Sequence, residues 1–191
     1  EGLSIINPDM VGSVKFSTGG FGAEYADKMS SALDIRYRDP EAFEGSAALS
    51  LQGGSLSLGQ SSKRFSQLHG FRFKRNSGLL GSLEDKGEYD PKYFDYQTFM
   101  NWAINSKWKL SVLGNISMNN YRFTPETRET SFGTSTNAKS FKVYFDGFEK
   151  DRFETFFGAM SLSFNPNKNH SYTLMASGYK TNELVTYDIH G

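Results

Sequence analysis

The chain has 191 residues, 21 basic and 21 acidic, with no cysteine. The balanced charge leaves no basic excess to suggest a nucleic-acid partner, and the missing cysteines exclude a disulfide scaffold, a thiolate metal site and a thiol nucleophile. With 19 Gly, 17 Phe and 10 Tyr against 5 Pro, the composition favours strands and turns, and no apolar run reaches the roughly 18 residues of a transmembrane helix.

The first residues, EGLSIINPDM, have neither the basic start nor the apolar stretch of a signal peptide, and the chain is expected to begin within a domain. Val11 to Phe16 reads as a short strand. Gly19, Gly20 and Gly22 allow a tight turn with positive φ. Tyr25 to Ser31 suits one helical turn or an irregular crossing. Ala32 to Arg38 alternates as a strand, with Leu33, Ile35 and Tyr37 opposite Asp34, Arg36 and Arg38. Asp39-Pro40 breaks it, which places a domain boundary at Asp39 to Ala42 and divides the chain into residues 1–39 and 40–191.

Seven further strands are expected. Glu44–Leu51 turns at Gly53-Gly54 into Ser55–Gly59, and a polar turn, Gln60–Lys63, leads to Arg64–Asn76. A charged loop, Ser77–Lys92, precedes Tyr93–Asn105. There Phe94, Tyr96, Met100, Trp102 and Ile104 share a face, opposite Asp95, Gln97 and Asn101. After the turn Asn105–Lys107, Trp108–Tyr121 alternates most cleanly, with Lys109, Asn115 and Asn119 on its polar side. Arg122–Asp151 is expected as a long polar loop, its FKVYF run (Phe141–Phe145) a candidate strand extension. Arg152–Phe164, the turn Asn165–His170 and a last strand from Ser171 to about Tyr187 complete the chain.

Alternation by itself also fits a soluble sandwich, which buries one face of each sheet. Three features favour a membrane wall. Strands 93–105 and 108–121 exceed the common five or six residues and meet the roughly 9–11 that a membrane strand needs. Short turns (60–63, 105–107, 165–170) fall at one end of the strands and long connections (77–92, 122–151) at the other, with Gly53-Gly54 the one short exception. Trp102 and Trp108 flank one short turn and Phe164 and Tyr172 another, as aromatics do at a lipid–water interface.

The stretch FSTGGFGAEYADKMSSALDIRYRD, residues 16–39, together with the upstream NPDMV, resembles the closing segment of the plug in TonB-dependent outer-membrane transporters. The resemblance rests on Gly19, Gly20, Phe21, Tyr25, Asp27, Ser31 and Asp34 among others; Ala26 departs from it, standing where the pattern has Gly. It covers about the first fifth of the chain. It implies an all-β fold: the end of a plug, then the first seven or so antiparallel up-and-down strands of a transmembrane barrel of about 22 strands. The implied activity is energised import of large scarce ligands such as siderophores, cobalamin or glycans. The implied localisation is the outer membrane of a Gram-negative bacterium. The implied partners are the TonB–ExbB–ExbD complex, engaged through a segment absent from this chain, then lipid, a surface lipoprotein lid or other outer-membrane subunits.

Within that frame, Arg72, Asp95, Gln97, Asn101, Lys109, Asn115 and Asn119 would line the lumen, as a hydrated wall against the plug or as part of a substrate path. Glu24, Arg36 and Arg38 would form plug–wall ion pairs. His69, His170 and His190 have no ligand-like spacing, and no nucleophile-elbow, phosphate-loop or zinc-protease motif occurs. Neither enzyme activity, metal nor cofactor is expected. Two alternatives remain: a β-rich component of a larger outer-membrane assembly, and a soluble β-sandwich binding module.

Overall fold

The computed structural model describes residues 5–20, 22, 25, 30–75, 87–134 and 137–190. Phe21, Glu24, Asp27 and most of the Tyr25–Ser31 crossing lie outside them.

The regular structure of the described residues is antiparallel β, with a 3-10 turn at Pro8–Met10. The Asn7 side chain caps that turn by accepting from the Asp9 N–H at 3.0 Å, and Pro8 supplies a preset φ at its first position. The turn feeds β1 (Val11–Ser17), which pairs with β2 (Ala32–Tyr37) as a separate two-stranded sheet. Between them Gly20 has φ 62°, the left-handed region that glycine enters without Cβ strain.

The remaining strands are β3 (Glu44–Ser50), β4 (Gly53–Ser61), β5 (Phe65–Arg75), β6 (Gly87–Tyr89), β7 (Lys92–Ala103), β8 (Trp108–Pro125), β9 (Arg128–Thr134), β10 (Asn137–Val143), β11 (Asp146–Asn167) and β12 (His170–His190). The large sheet is a meander in the order β12-β11-β8-β7-β5-β4-β3, with β6 paired to the end of β8. It is not closed: β3 and β12 are its edges.

Three expectations are corrected. Gly53-Gly54 is not the hairpin turn; Leu51-Gln52 turns, and both glycines open β4. Strand crowding explains them. A Cβ at Gly53 (φ 144°) would overlap the Phe73 carbonyl, and one at Gly54 would lie 2.9 Å from the Leu49 side chain. The stretch Arg122–Asp151 is mostly strand: β8 runs on to Pro125, β9 and β10 form their own hairpin, and β11 begins at Asp146. Within it FKVYF closes β10 at Val143. Its polar composition hid a local alternation, since Phe132 and Phe141 share a face with Lys139 and Thr130. In the stretch Ser77–Lys92, residues 77–86 lie outside the described ones, but Gly87–Tyr89 is strand.

Strand direction sets the two ends of the sheet. One carries the short connections at 62–64, 104–107 and 168–169; the other carries the Leu51-Gln52 turn and the stretches 76–91 and 126–145.

Period-2 alternation gives the sheet two unlike faces. One face bears Leu56, Phe65, Phe73, Phe94, Trp102, Ile116, Phe156 and Met160, each 37–51% exposed. The other is polar yet buried over β4 to β8: Ser57, Ser66, Arg72, Asp95, Gln97, Asn101, Asn115 and Ser117 are all below 9% exposed. The N-terminal segment and β2 cover this polar face, so the best-shielded part of the protein is a layer of polar side chains with Met10 and Leu68 among them.

Candidate functional site

The strongest constellation lies where Ile5–Met10 crosses β5 and β7. Arg72 and Asp95 sit directly opposite across these strands. The guanidinium donates to both carboxylate oxygens, Nε to Oδ1 at 2.8 Å and Nη2 to Oδ2 at 2.6 Å, with side chains 8% and 0% exposed. Nη2 also donates to the Tyr93 hydroxyl at 3.1 Å, and Nη1 to the Ile6 carbonyl at 3.1 Å. One cation thus ties two strands of the sheet to the backbone of the segment above them, in the fork geometry that suits Arg.

Gln97 completes the attachment. Its Nε2 donates to the Ile5 carbonyl and its Oε1 accepts from the Asn7 N–H, both at 3.2 Å. Gly70, on the same face, makes room: a Cβ there would overlap Asn7 Nδ2 and come within 2.7 Å of Met10 Sδ. Tyr37 of β2 packs on Phe99 with ring centroids 5.4 Å apart, and burial pushes its phenol above the ordinary value.

A second attachment surrounds the β2–β3 connection. Arg38 donates to Glu44 Oε1 at 2.9 Å, to the Asp9 carbonyl at 2.7 Å and to Ser57 Oγ at 3.3 Å. Ser66 donates to Asp39, and Lys109 approaches the other Asp39 oxygen at 3.9 Å. Arg36 turns back within its own strand to Asp34, at 3.2 Å, rather than reaching the sheet. The Tyr25 hydroxyl, then Arg36, holds the Asp34 carboxyl below the usual carboxylate range.

No family model, curated protein or solved structure matches the chain.

The polar residues expected to share one surface do share it, in differing states. Asn101 accepts from Ser111 Oγ at 2.6 Å. Asn115 is 2% exposed, with neither amide atom hydrogen-bonded. Asn119 stands opposite Tyr93, one strand further along. Sequence reasoning missed Tyr93, Leu68 and the seat at Gly70, because each depends on which segment lies across β5. Among the flanking aromatics, Trp108 stacks on Phe164 at 4.4 Å and Phe164 on Tyr172 at 6.4 Å, while Trp102 stands half exposed one row away.

Two clefts border the layer. One, about 240 Å³ and near the Leu51-Gln52 turn, is lined by Pro8, Asp9, Ser55, Arg72 and Lys74. The other, about 490 Å³ and at the short-turn end, has mixed charge from Asp39, Glu41, Lys63, Arg64 and Lys109. Among the described residues no cluster of three His, Asp or Glu is placed to hold a metal. The chemistry available is ionic and hydrogen-bonded attachment of one chain segment to a sheet.

Proposed function

We propose that this chain is part of a TonB-dependent outer-membrane transporter, comprising the end of its plug and the first strands of its barrel, and that the whole protein imports a large scarce ligand of the siderophore, cobalamin or glycan class. The observation that carries the reading is the inverted polarity of the sheet: buried Arg72, Asp95 and Gln97 on one face, and exposed Phe73, Phe94, Trp102 and Met160 on the other. Soluble proteins rarely expose so continuous an apolar surface, whereas an outer-membrane barrel needs it against lipid and keeps its polar face inside.

Dimensions agree. From Trp108 to Met118 is ten residue steps, which at a rise of about 3.3 Å and a tilt of about 40° rise about 25 Å, the height of the apolar band in such barrels. The unpaired edges β3 and β12 would each cost several kcal/mol per backbone group in lipid, so the reading requires further strands to close the sheet. The segment held by Arg72 and Gln97 then blocks the lumen, and the hydrogen bonds to the Ile5 and Ile6 carbonyls are among those an energised pull must break. The 126–145 and 76–91 connections lie at the ligand-facing end, where loops carry recognition.

The test uses the full-length protein in vesicles with brominated lipids. Bromines near the headgroups should quench Trp102 and Trp108; an unquenched Trp108 overturns the membrane reading. Insertion without proton-gradient-dependent uptake of iron chelates, cobalamin or glycans would instead indicate the wall of a non-transporting assembly.

A further inference from the structure

On the apolar face, the row Phe73, Phe94 and Met118, which Glu154 continues on β11, is followed by a row holding Arg75, Lys92, Asn120 and Arg152, and then by Arg122 directly opposite Lys150. On β5 and β7 the change from apolar to basic takes one step of the alternation, two residues, from Phe73 to Arg75 and from Phe94 to Lys92; on β8 neutral Asn120 stands between Met118 and Arg122, and on β11 Glu154 stands between Phe156 and Arg152. All five cations are exposed. Two carboxylates offset part of the charge: Asp90 bridges Arg75 at 2.8 Å and Lys92 at 3.2 Å, and Glu154 pairs with Arg152. Arg122 and Lys150 are different. They are like charges at directly opposed positions, an arrangement that destabilises a sheet, and among the described residues no ion pair joins either to a carboxylate. The Arg122 guanidinium lies over the Phe148 ring, 5.6 Å from its centroid, which holds it on this face.

We infer that this belt is a binding site for the phosphate group of an anionic lipid, with Arg122 and Lys150 as its centre. The inference rests on the membrane reading above and deepens it. The apolar row immediately below the belt would lie against the acyl chains, which places the headgroup phosphate at the height of the cations. A phosphate between Arg122 and Lys150 converts their repulsion into two charge-assisted contacts. A free anion would find the same charges but gain nothing from Phe73, Phe94 and Met118, which is why a lipid is the favoured occupant.

The full-length protein is reconstituted into phosphatidylcholine nanodiscs containing a minor fraction of phosphatidic acid. The lipid retained after mild detergent extraction is measured by mass spectrometry. Each basic side chain at an anionic surface is worth about fivefold, so R122Q/K150Q should lower phosphatidic acid enrichment about 25-fold. K168Q, which removes an exposed cation from the short turn at the opposite end of the sheet, should leave it unchanged. Inorganic phosphate at millimolar concentration should not displace the lipid; full displacement would overturn the lipid assignment in favour of a soluble-anion site. Equal enrichment in wild type and R122Q/K150Q overturns the inference while leaving the membrane reading intact. Failure of the wild type to enter nanodiscs, read separately by flotation with vesicles, overturns both.

Discussion

Arg72 and Asp95 are cross-strand neighbours on β5 and β7, and the carboxylate, wholly buried, takes both arms of the guanidinium at 2.8 and 2.6 Å. A buried pair of this kind is close to neutral in net stability, because desolvation offsets most of the attraction. Its consequence is positional. The third guanidinium nitrogen is left aimed at the Ile6 carbonyl, so the pair fixes where the N-terminal segment lies.

Removing one partner strands the other. D95A should destabilise the protein by about 3–5 kcal/mol, and R72M by a similar amount, whereas the double substitution R72M/D95M should lose less than either alone. Calorimetric unfolding of the three variants checks this. Additive losses would show that the pair acts as two independent side chains.

Glycines on the two faces should respond oppositely to a methyl group. G70A places a Cβ against Asn7 and Met10 and should displace the segment, lowering stability by about 1–3 kcal/mol. At Gly158, opposite Gly114 and Gly178, a Cβ meets nothing within 4 Å, and G158A should be within about 0.5 kcal/mol of wild type. Protease sensitivity of the N-terminal segment is a second readout, raised in G70A alone.

Two arginines of the N-terminal part should separate as well. R38A removes bonds to Glu44, Ser57 and the Asp9 carbonyl, so the segment should exchange amide hydrogens faster at Val11–Ser17, with a loss of about 1–2 kcal/mol. R36A breaks only an exposed pair inside β2 and should change protection there by less than about 0.5 kcal/mol. Equal effects would mean that Arg36 also carries the docking.

Asp90 predicts a pH response. Its hydrogen bond to Arg75, then Lys92, holds the carboxyl below its ordinary value of 3.8. A group whose folded pKa is depressed stabilises fully above the ordinary value and loses that contribution as pH falls through the lower folded value. The tie between β5 and the β6–β7 connection should therefore survive at pH 4 and open only below 3.8. Hydrogen exchange around Lys92 followed downward through that range tests it, and D90N should flatten the response.

The sequence by itself determined which side chains share a face. Period 2 is a local property, so Asp95, Gln97 and Asn101 had to lie opposite Phe94, Tyr96 and Trp102 whatever the sheet packs against. The break at Asp39-Pro40 and the short turns at Asn105 and Asn167 were legible for the same reason: Asn105 Oδ1 accepts from the Lys107 and Trp108 N–H groups within its own turn. Polar composition misled at β9 and β10, whose pairing depends on a partner strand rather than on hydrophobicity. The resemblance implied that the polar face looks inward, but which residues cover it was decided by the tertiary structure. Burial there comes from a segment up to 92 residues away in sequence, as in the bond from Gln97 to Ile5, and no local pattern encodes so distant a neighbour. The belt of Arg75, Lys92, Arg152, Arg122 and Lys150 has the same origin: these residues lie on four strands, and only the register of the sheet brings them side by side.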